Sequence, residues 1–348
     1  MNPAAVPVDP QAIGRAVQAL LAGGLVGFPT ETVYGLGADA DQPQAVAAIF
    51  RVKGRPHSHP VILHLAHAAA VAQWARAVPN PAQRLIERFW PGPLTLILPR
   101  QPRATDGVTG GQDTVGLRCP SDPWAQALLK AFCAARGDPG AAIAAPSANR
   151  YGRISPTSAA HVRADLGERP QGLVDVILDG GSCQLGIEST IVDFPDGSIR
   201  ILRPGSLGAE QLRAVAGEEI VLAPEGASAP RVSGRVQGHY APRTPLEIVA
   251  PEQLPARAAQ LSGQRLGVLA PSQVLARLPA DQLALQLAAA AEPELFAHEL
   301  YERLRSLDAG KAQRLLIAAP PEGPQWLAVH DRLRRAAAGS AGAMVDAD

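Results

Sequence analysis

Sulfur, aromatic rings and unbalanced charge are all scarce in this 348-residue chain, and each shortage removes a class of function. The three cysteines, Cys119, Cys133 and Cys183, include no C-x-x-C pair and have no histidine at ligand spacing. That excludes structural zinc and a disulfide framework, and it leads us to expect a reduced, cytoplasmic protein with no resident metal site. Basic and acidic side chains number 32 each, and they balance as 18 against 17 up to residue 212 and 14 against 15 beyond it. A free-standing RNA-binding surface would bring a basic excess, so at most a weak RNA contact is expected. No apolar run approaches the roughly 20 residues of a membrane span, and the opening MNPAAVPVDP lacks a basic segment followed by an apolar one, so no membrane association is expected. Missing too are a phosphate loop of the form G-x-x-x-x-G-K-[ST], an H-E-x-x-H pair, a G-x-S-x-G elbow, and a G-x-G-x-x-G after any strand-like run.

The chain does hold enough apolar residue, 47%, for two cores, since single cores stop growing near roughly 250 residues. Asp9 and Pro10 read as an N-cap and first helical position, with Gly23 and Gly24 as the stop, giving a first helix over about 10–22. Short apolar or β-branched runs follow: LVGF (25–28), VILHL (61–65), LTLIL (94–98), TVGLR (114–118), AAIAA (141–145), VDVIL (174–178), TIVDF (190–194) and IRIL (199–202). Helical patterns separate several of them, around 42–52, 68–76, 81–89, 122–135 and 157–166. The result is an α/β domain over 1–216 with a mixed sheet. Residues 217–245 are dense in Pro, Gly, Ser and Ala and read as a linker that could serve as a lid. Beyond it, LEIV (246–249), RLGVLA (265–270), LALQLA and RLLIAA (314–319) alternate with helices at 293–309 and 324–338, which predicts a smaller Rossmann-like parallel domain over 246–348.

Polar residues that interrupt strand ends carry the functional signal. In FPTETVYGLG (28–37), Thr30, Thr32 and Tyr34 supply hydroxyls, and Gly35 and Gly37 are read as openings for close backbone approach to a ligand. RVKGRPHSHP (51–60) sets Lys53 and Arg55 around a glycine, a pair of cations suited to one shared anion and equally to the end of a helix dipole. DTVGLRCP places Arg118 at the end of an apolar strand, where a buried guanidinium needs an anionic partner. APSANRYGRISPT adds Ser147, Asn149 and Ser155; GIESTIVDF and ILRPG add Ser189, Thr190 and Arg203. Any one of these is an ordinary turn or cap. Together, rich in donors, they indicate a single anion-binding site. Of the clustered histidines, His57, His59 and His67 read as loop or surface residues, and His64, within a strand, can face the site.

In order over about residues 10–210, FPTETVYGLGADA, KGRPHSHPVILHL, WPGPLTLIL, DTVGLRCP, AAPSANRYGRISPT, GIESTIVDF and ILRPG resemble the threonylcarbamoyl-AMP synthase family, the YrdC-like enzymes, in its two-domain form. HYAPRTP (239–245) resembles the family's linker. The resemblance implies a YrdC-like twisted mixed sheet, and a reaction of L-threonine, bicarbonate and ATP to threonylcarbamoyl-AMP and pyrophosphate. Magnesium would arrive with ATP, and a partner transferase complex would pass the threonylcarbamoyl group to an adenosine beside the tRNA anticodon. It places Thr32, His64, Arg118, Ala145 and Ser189 on the threonine side. Arg55, His59, Thr114, Ser147, Ser155, Arg203, His239 and Tyr240 fall on the nucleotide side, with Lys53 between; Lys53, Arg55 and Arg118 are the expected catalytic cations. His59 departs from the family's usual asparagine. Two competing readings are an RNA-binding module, opposed by the neutral charge, and a carbamoyl-transfer enzyme of the hydrogenase-maturation kind, opposed by the absence of zinc-type cysteine pairs.

Overall fold

The computed structural model describes residues 6–195, 198–223, 229–234 and 238–342. They form two compact units. One comprises the described residues up to Tyr151 and from Ser155 to Gly234; the other comprises Gly152–Ile154 and the described residues from Gly238 onward.

Ten strands among the described residues of the first unit build one sheet: β1 (Val26–Phe28), β2 (Gly35–Asp39), β3 (Ile62–Leu65), β4 (Leu94–Pro99), β5 (Thr114–Arg118), β6 (Ala142–Ala144), β7 (Val176–Ile177), β8 (Thr190–Asp193), β9 (Ile199–Arg203) and β10 (Ile220–Leu222). Their order is β10-β9-β8-β4-β5-β3-β6-β2-β1-β7, with parallel pairs β3–β5, β4–β8, β1–β7 and β9–β10 and antiparallel pairs elsewhere. The period-2 alternation of a strand sorts side chains onto two faces. Leu63 and Leu65, Leu94, Leu96 and Leu98, and Val115 and Leu117 all enter one large core, packed by helices Pro43–Lys53 and Asn80–Phe89. The opposite face is left to the residues between them. At the other end of the sheet, Val26, Phe28, Ile143 and Ala145 pack against helices Pro10–Leu21 and Pro123–Arg136 in a second core.

The linker residues are shared out. Ile220–Leu222 adds β10 beside β9, Ala229–Gly234 belongs to the first unit, and the chain from Gly238 belongs to the second. Residues 224–228 and 235–237 lie outside the described residues.

The second unit has a four-stranded, all-parallel sheet of β11 (Leu246–Val249), β12 (Leu266–Ala270), β13 (Leu283–Ala288) and β14 (Arg314–Ala318), in the order β11-β14-β12-β13. Helices Leu254–Gln260, Pro293–Ala309 and Leu327–Gly342 are among those that connect and follow the strands, and the last is preceded by a 3₁₀ turn at Pro324–Trp326. The strands run out into Ala-Pro-rich segments: Ala250-Pro251 after β11, Pro271 after β12 and Ala319-Pro320-Pro321 after β14. These offer few polar side chains where parallel sheets usually hold ligands. Among the described residues no helix is long and apolar enough to cross a membrane.

Candidate active site

Strand register arranges the face opposite the large core into two rows. Ile62, Gly116 and Ile97 pair across β3, β5 and β4 and make an apolar row. Two residues along, His64 pairs with Arg118, and Thr95 lies one residue beyond the Leu96–Leu117 pair, making a polar row. Strand rise sets the rows about 7 Å apart and separates Thr114 from Arg118 by about 13 Å. Val232 and Ser233 cover the apolar row, which Thr114 and Ile191 also line, leaving a free volume of about 10 Å³, enough for about one water.

The polar row is charged and buried. Arg118 and Glu31 are each about 95% buried, with Nη2 and Oε1 2.8 Å apart. The contact is close but off the N–H axis: neither Glu31 oxygen, nor Arg118 Nε or Nη2, nor His64 Nδ1 has a directed hydrogen-bond partner among the described residues. Burial, then the charge of Arg118, pushes His64 down to about 3, so its ring is neutral. Ser189 Oγ lies 2.8 Å from Thr95 Oγ1 and takes a bond from Arg203 Nη2, whose guanidinium also donates to the Ser189 carbonyl. Burial pushes the neighbouring Cys119 thiol up to about 11 and Cys183 well above its usual value, so neither adds a charge beside Glu31.

The cationic loops meet the covering segment at the apolar row. Gly54, at φ 65°, ends helix Pro43–Lys53 in the left-handed conformation that favours glycine, which turns the chain between Lys53 and Arg55. Lys53 is buried and its ammonium donates to the carbonyls of Ser147 and Asn149. Its pKa lies well below the usual lysine value, through burial and then the charge of Arg55. Arg55 Nη2 donates to the Pro60 carbonyl and to Ser233 Oγ, while Arg203 Nη1 donates to the Ser233 carbonyl. Arg231 reaches the Ser58 and Gly110 carbonyls, and its N–H donates to Gln112. His59 Nδ1 sits 3.1 Å from the Tyr151 hydroxyl, with its pKa lowered by burial and by Arg55 and Arg231. Ser155 Oγ donates to Glu188 Oε1 at 2.6 Å.

Lys53, Arg55, His59, Thr114, Ser147, Ser155, Ser189, Arg203, His64, Arg118, Thr32 and Ala145 all belong to this unit. Arg118, His64 and Ser189 fall on or beside the polar row, and Thr114 falls at the apolar one. Thr32 is fully buried, its hydroxyl 2.8 Å from that of Thr30, and the Ala145 N–H donates to the Ile62 carbonyl. His239 and Tyr240 lie in the second unit, where Tyr240, at φ 62°, packs on His239, Tyr301 and the Arg332 guanidinium.

Three readings of the FPTETVYGLG stretch are corrected. Gly35 and Gly37 are not openings to a ligand: they lie in β2, and a Cβ on Gly37 would come within 2.7 Å of Ile143 and 2.9 Å of the Phe28 ring. Tyr34 spends its hydroxyl on the Gly181 carbonyl and the Gly180 N–H. Thr30 spends its own on the Val33 carbonyl and pins the turn. The residue passed over in that stretch is Glu31. A lone acid between two threonines in a loop gives no signal of a site, since it reads as solvated. Thr95 and Glu188 were missed as well, one as an ordinary strand threonine and the other as a loop acid.

Comparison with known proteins agrees with this architecture. Residues 18–205 match the Sua5/YciO/YrdC family model, described as "Telomere recombination", and residues 207–338 match "Threonylcarbamoyl-AMP synthase, C-terminal domain". The chain is 39% identical over 340 residues to a threonylcarbamoyl-AMP synthase of Bacillus subtilis (strain 168), covering 95% of this chain and 94% of the relative. It is 37% identical over 326 residues to that of Pyrococcus abyssi (strain GE5 / Orsay), covering 90% of each. Among solved structures it is similar to P. abyssi Sua5 complexed with L-threonine, with a TM-score of 0.85, 34% identity and 96% of both chains covered.

Proposed function

This chain belongs to the threonylcarbamoyl-AMP synthase family, and from that premise we infer that it makes threonylcarbamoyl-AMP and pyrophosphate from L-threonine, bicarbonate and ATP. One observation carries the reading: a buried polar row with five hydrogen-bonding atoms lacking directed partners stands beside an apolar row flanked by Arg55, Arg203 and Arg231. Burying such atoms unpaired costs about 1–3 kcal/mol each, so a site of this kind is built for a polar guest. Threonine, with a carboxylate, an ammonium and a hydroxyl, is a guest of that kind.

In this reading Arg118 grips the threonine carboxylate, and neutral His64, Thr32 and Ser189 set its remaining polar groups, with Ala145 contributing backbone. The apolar row takes the adenine end of ATP. Arg55, His59, Thr114, Ser147, Ser155 and Arg203 hold the rest of the nucleotide, and His239 and Tyr240 are assigned to it as well. Threonine's amine, once deprotonated, combines with bicarbonate and releases water to give a carbamate. A carbamate oxygen then attacks the α-phosphorus of ATP while the bond to pyrophosphate breaks. The protein's part is alignment and charge stabilisation, a role assigned to Lys53 between the threonine and nucleotide sides. An arriving phosphate favours its ammonium form and offsets the burial that lowers its pKa. Among the described residues no three His, Cys, Asp or Glu side chains gather into a metal site. Magnesium bound with ATP would be held by phosphates and water and would neutralise charge on the leaving pyrophosphate. The product is a donor for a transferase complex acting on tRNA.

The direct test is incorporation of [¹³C]bicarbonate. Mass spectrometry should find the label in a threonine-containing nucleotide that forms only with ATP present. An unlabelled adenylate, or none, overturns the reading.

A further inference from the structure

We propose that Glu31 is the residue that recognises the ammonium of the amino-acid substrate, completing with Arg118 a pair that reads both ends of the zwitterion. The inference rests on the threonine reading above and deepens it.

Glu31 sits among apolar and hydroxyl residues in a segment with little exposure, and a carboxylate is rarely buried without a reason that outweighs its desolvation. Among the described residues its ion-pair partner is Arg118, and that contact is off the N–H axis, so both carboxylate oxygens keep their accepting capacity and Arg118 keeps donors to spend. A purely structural pair in a dry interior would be expected to align into directed bonds, because the Coulombic gain alone seldom repays desolvation of both ions. Among the described residues no other cation makes an ion pair with Glu31: the same region holds neutral His64, thiols of Cys119 and Cys183 held in their neutral form, and Asp122, whose carboxylate caps helix Pro123–Arg136 through the Trp124 and Ala125 N–H groups. An α-amino acid carries its ammonium and carboxylate on one carbon. A carboxylate and a guanidinium 2.8 Å apart, each with free hydrogen-bonding atoms, match that arrangement with charges reversed.

The test is calorimetric titration of the full-length protein with L-threonine and with 3-hydroxybutanoate of the same C3 configuration, which lacks only the amino group. The wild type should favour threonine by about 100-fold or more. Glu31→Gln should lower threonine affinity by about 10- to 100-fold, the loss of a charged hydrogen bond, while changing 3-hydroxybutanoate and ATP by less than about threefold. Glu31→Asp, which keeps the charge, should restore part of the loss. A residue that merely props up Arg118 would weaken both acids alike, and that result overturns the proposal. So does equal affinity of the wild type for the two, a comparison that needs no variant to fold. A wild type that binds ATP but no threonine contradicts the underlying reading instead.

Discussion

Charge away from full solvent is handled in two ways in this molecule. In the second unit a half-buried set closes on itself: Glu247 takes Arg257 and Arg314 together. The first unit has a network of the same kind away from the polar row, where Arg103 grips Asp41 and Asp138 and stacks over Trp74. In these networks donors meet acceptors head on, and Arg103 holds Asp138 below the usual carboxylate range. On the polar row, Glu31, Arg118 and His64 are buried more deeply than these networks and yet keep atoms without directed partners. Closed networks fix a fold, whereas an open set of buried polar groups awaits a ligand.

The comparison is broken most sharply at its two arginines. Arg118→Ala should lower threonine affinity by about 100-fold with ATP affinity little changed, and should cost about 3 kcal/mol of stability by stranding the Glu31 charge. Arg103→Ala should cost about 1–2 kcal/mol in denaturant unfolding and leave both affinities unchanged. If the two variants behaved alike in calorimetry, the distinction between open and closed charge would fail. Next in size come the cations of the nucleotide side. Arg55→Ala should weaken ATP by about 10- to 100-fold, and Lys53→Ala should lower turnover as well. Steady-state kinetics that show a loss of threonine affinity in either variant would redraw the two sides.

His64 gives a pH signature. Its folded-state pKa, about 3, lies below the ordinary histidine value, so the stability tied to its neutral form is complete above pH 6.5 and is lost as pH falls from there toward 3. Between pH 7.5 and 5 that is a loss of about 2 kcal/mol, which should be absent in His64→Asn. A ring resonance titrating near 6.5 in the folded wild type would contradict the burial of His64 beside Arg118. The smallest effect is expected at Val232, which covers the apolar row. Val232→Ala should make lifting the segment easier and tighten ATP binding a few-fold, by about 1 kcal/mol. Weaker binding would mean that this side chain packs on the base instead.

Much of this was legible in the chain itself. The strands announced themselves as short apolar runs, and the polar residues breaking them, His64 in VILHL and Arg118 in TVGLR, belong to the site because a period of two places them opposite the leucines. Pairing order was not legible: β4 lies between β5 and β8, far apart in sequence, and such register is fixed by tertiary packing rather than by any local signal. The glycines of FPTETVYGLG misled for a related reason. Small residues are needed wherever something approaches closely, and here the close neighbours are Phe28 and Ile143, from the core rather than a ligand. Glu31 escaped because a charge in a loop reads as solvated. Only the packed structure shows that it is not.

The central claim, that the two rows of one sheet join an amino acid to a nucleotide through a carbamate, is tested most directly by pyrophosphate release from ATP and magnesium with each substrate omitted in turn. Release should require threonine and bicarbonate together, with serine the nearest substitute, since it loses only a methyl worth roughly 1 kcal/mol. Equal release without the amino acid, or without bicarbonate, would contradict the account.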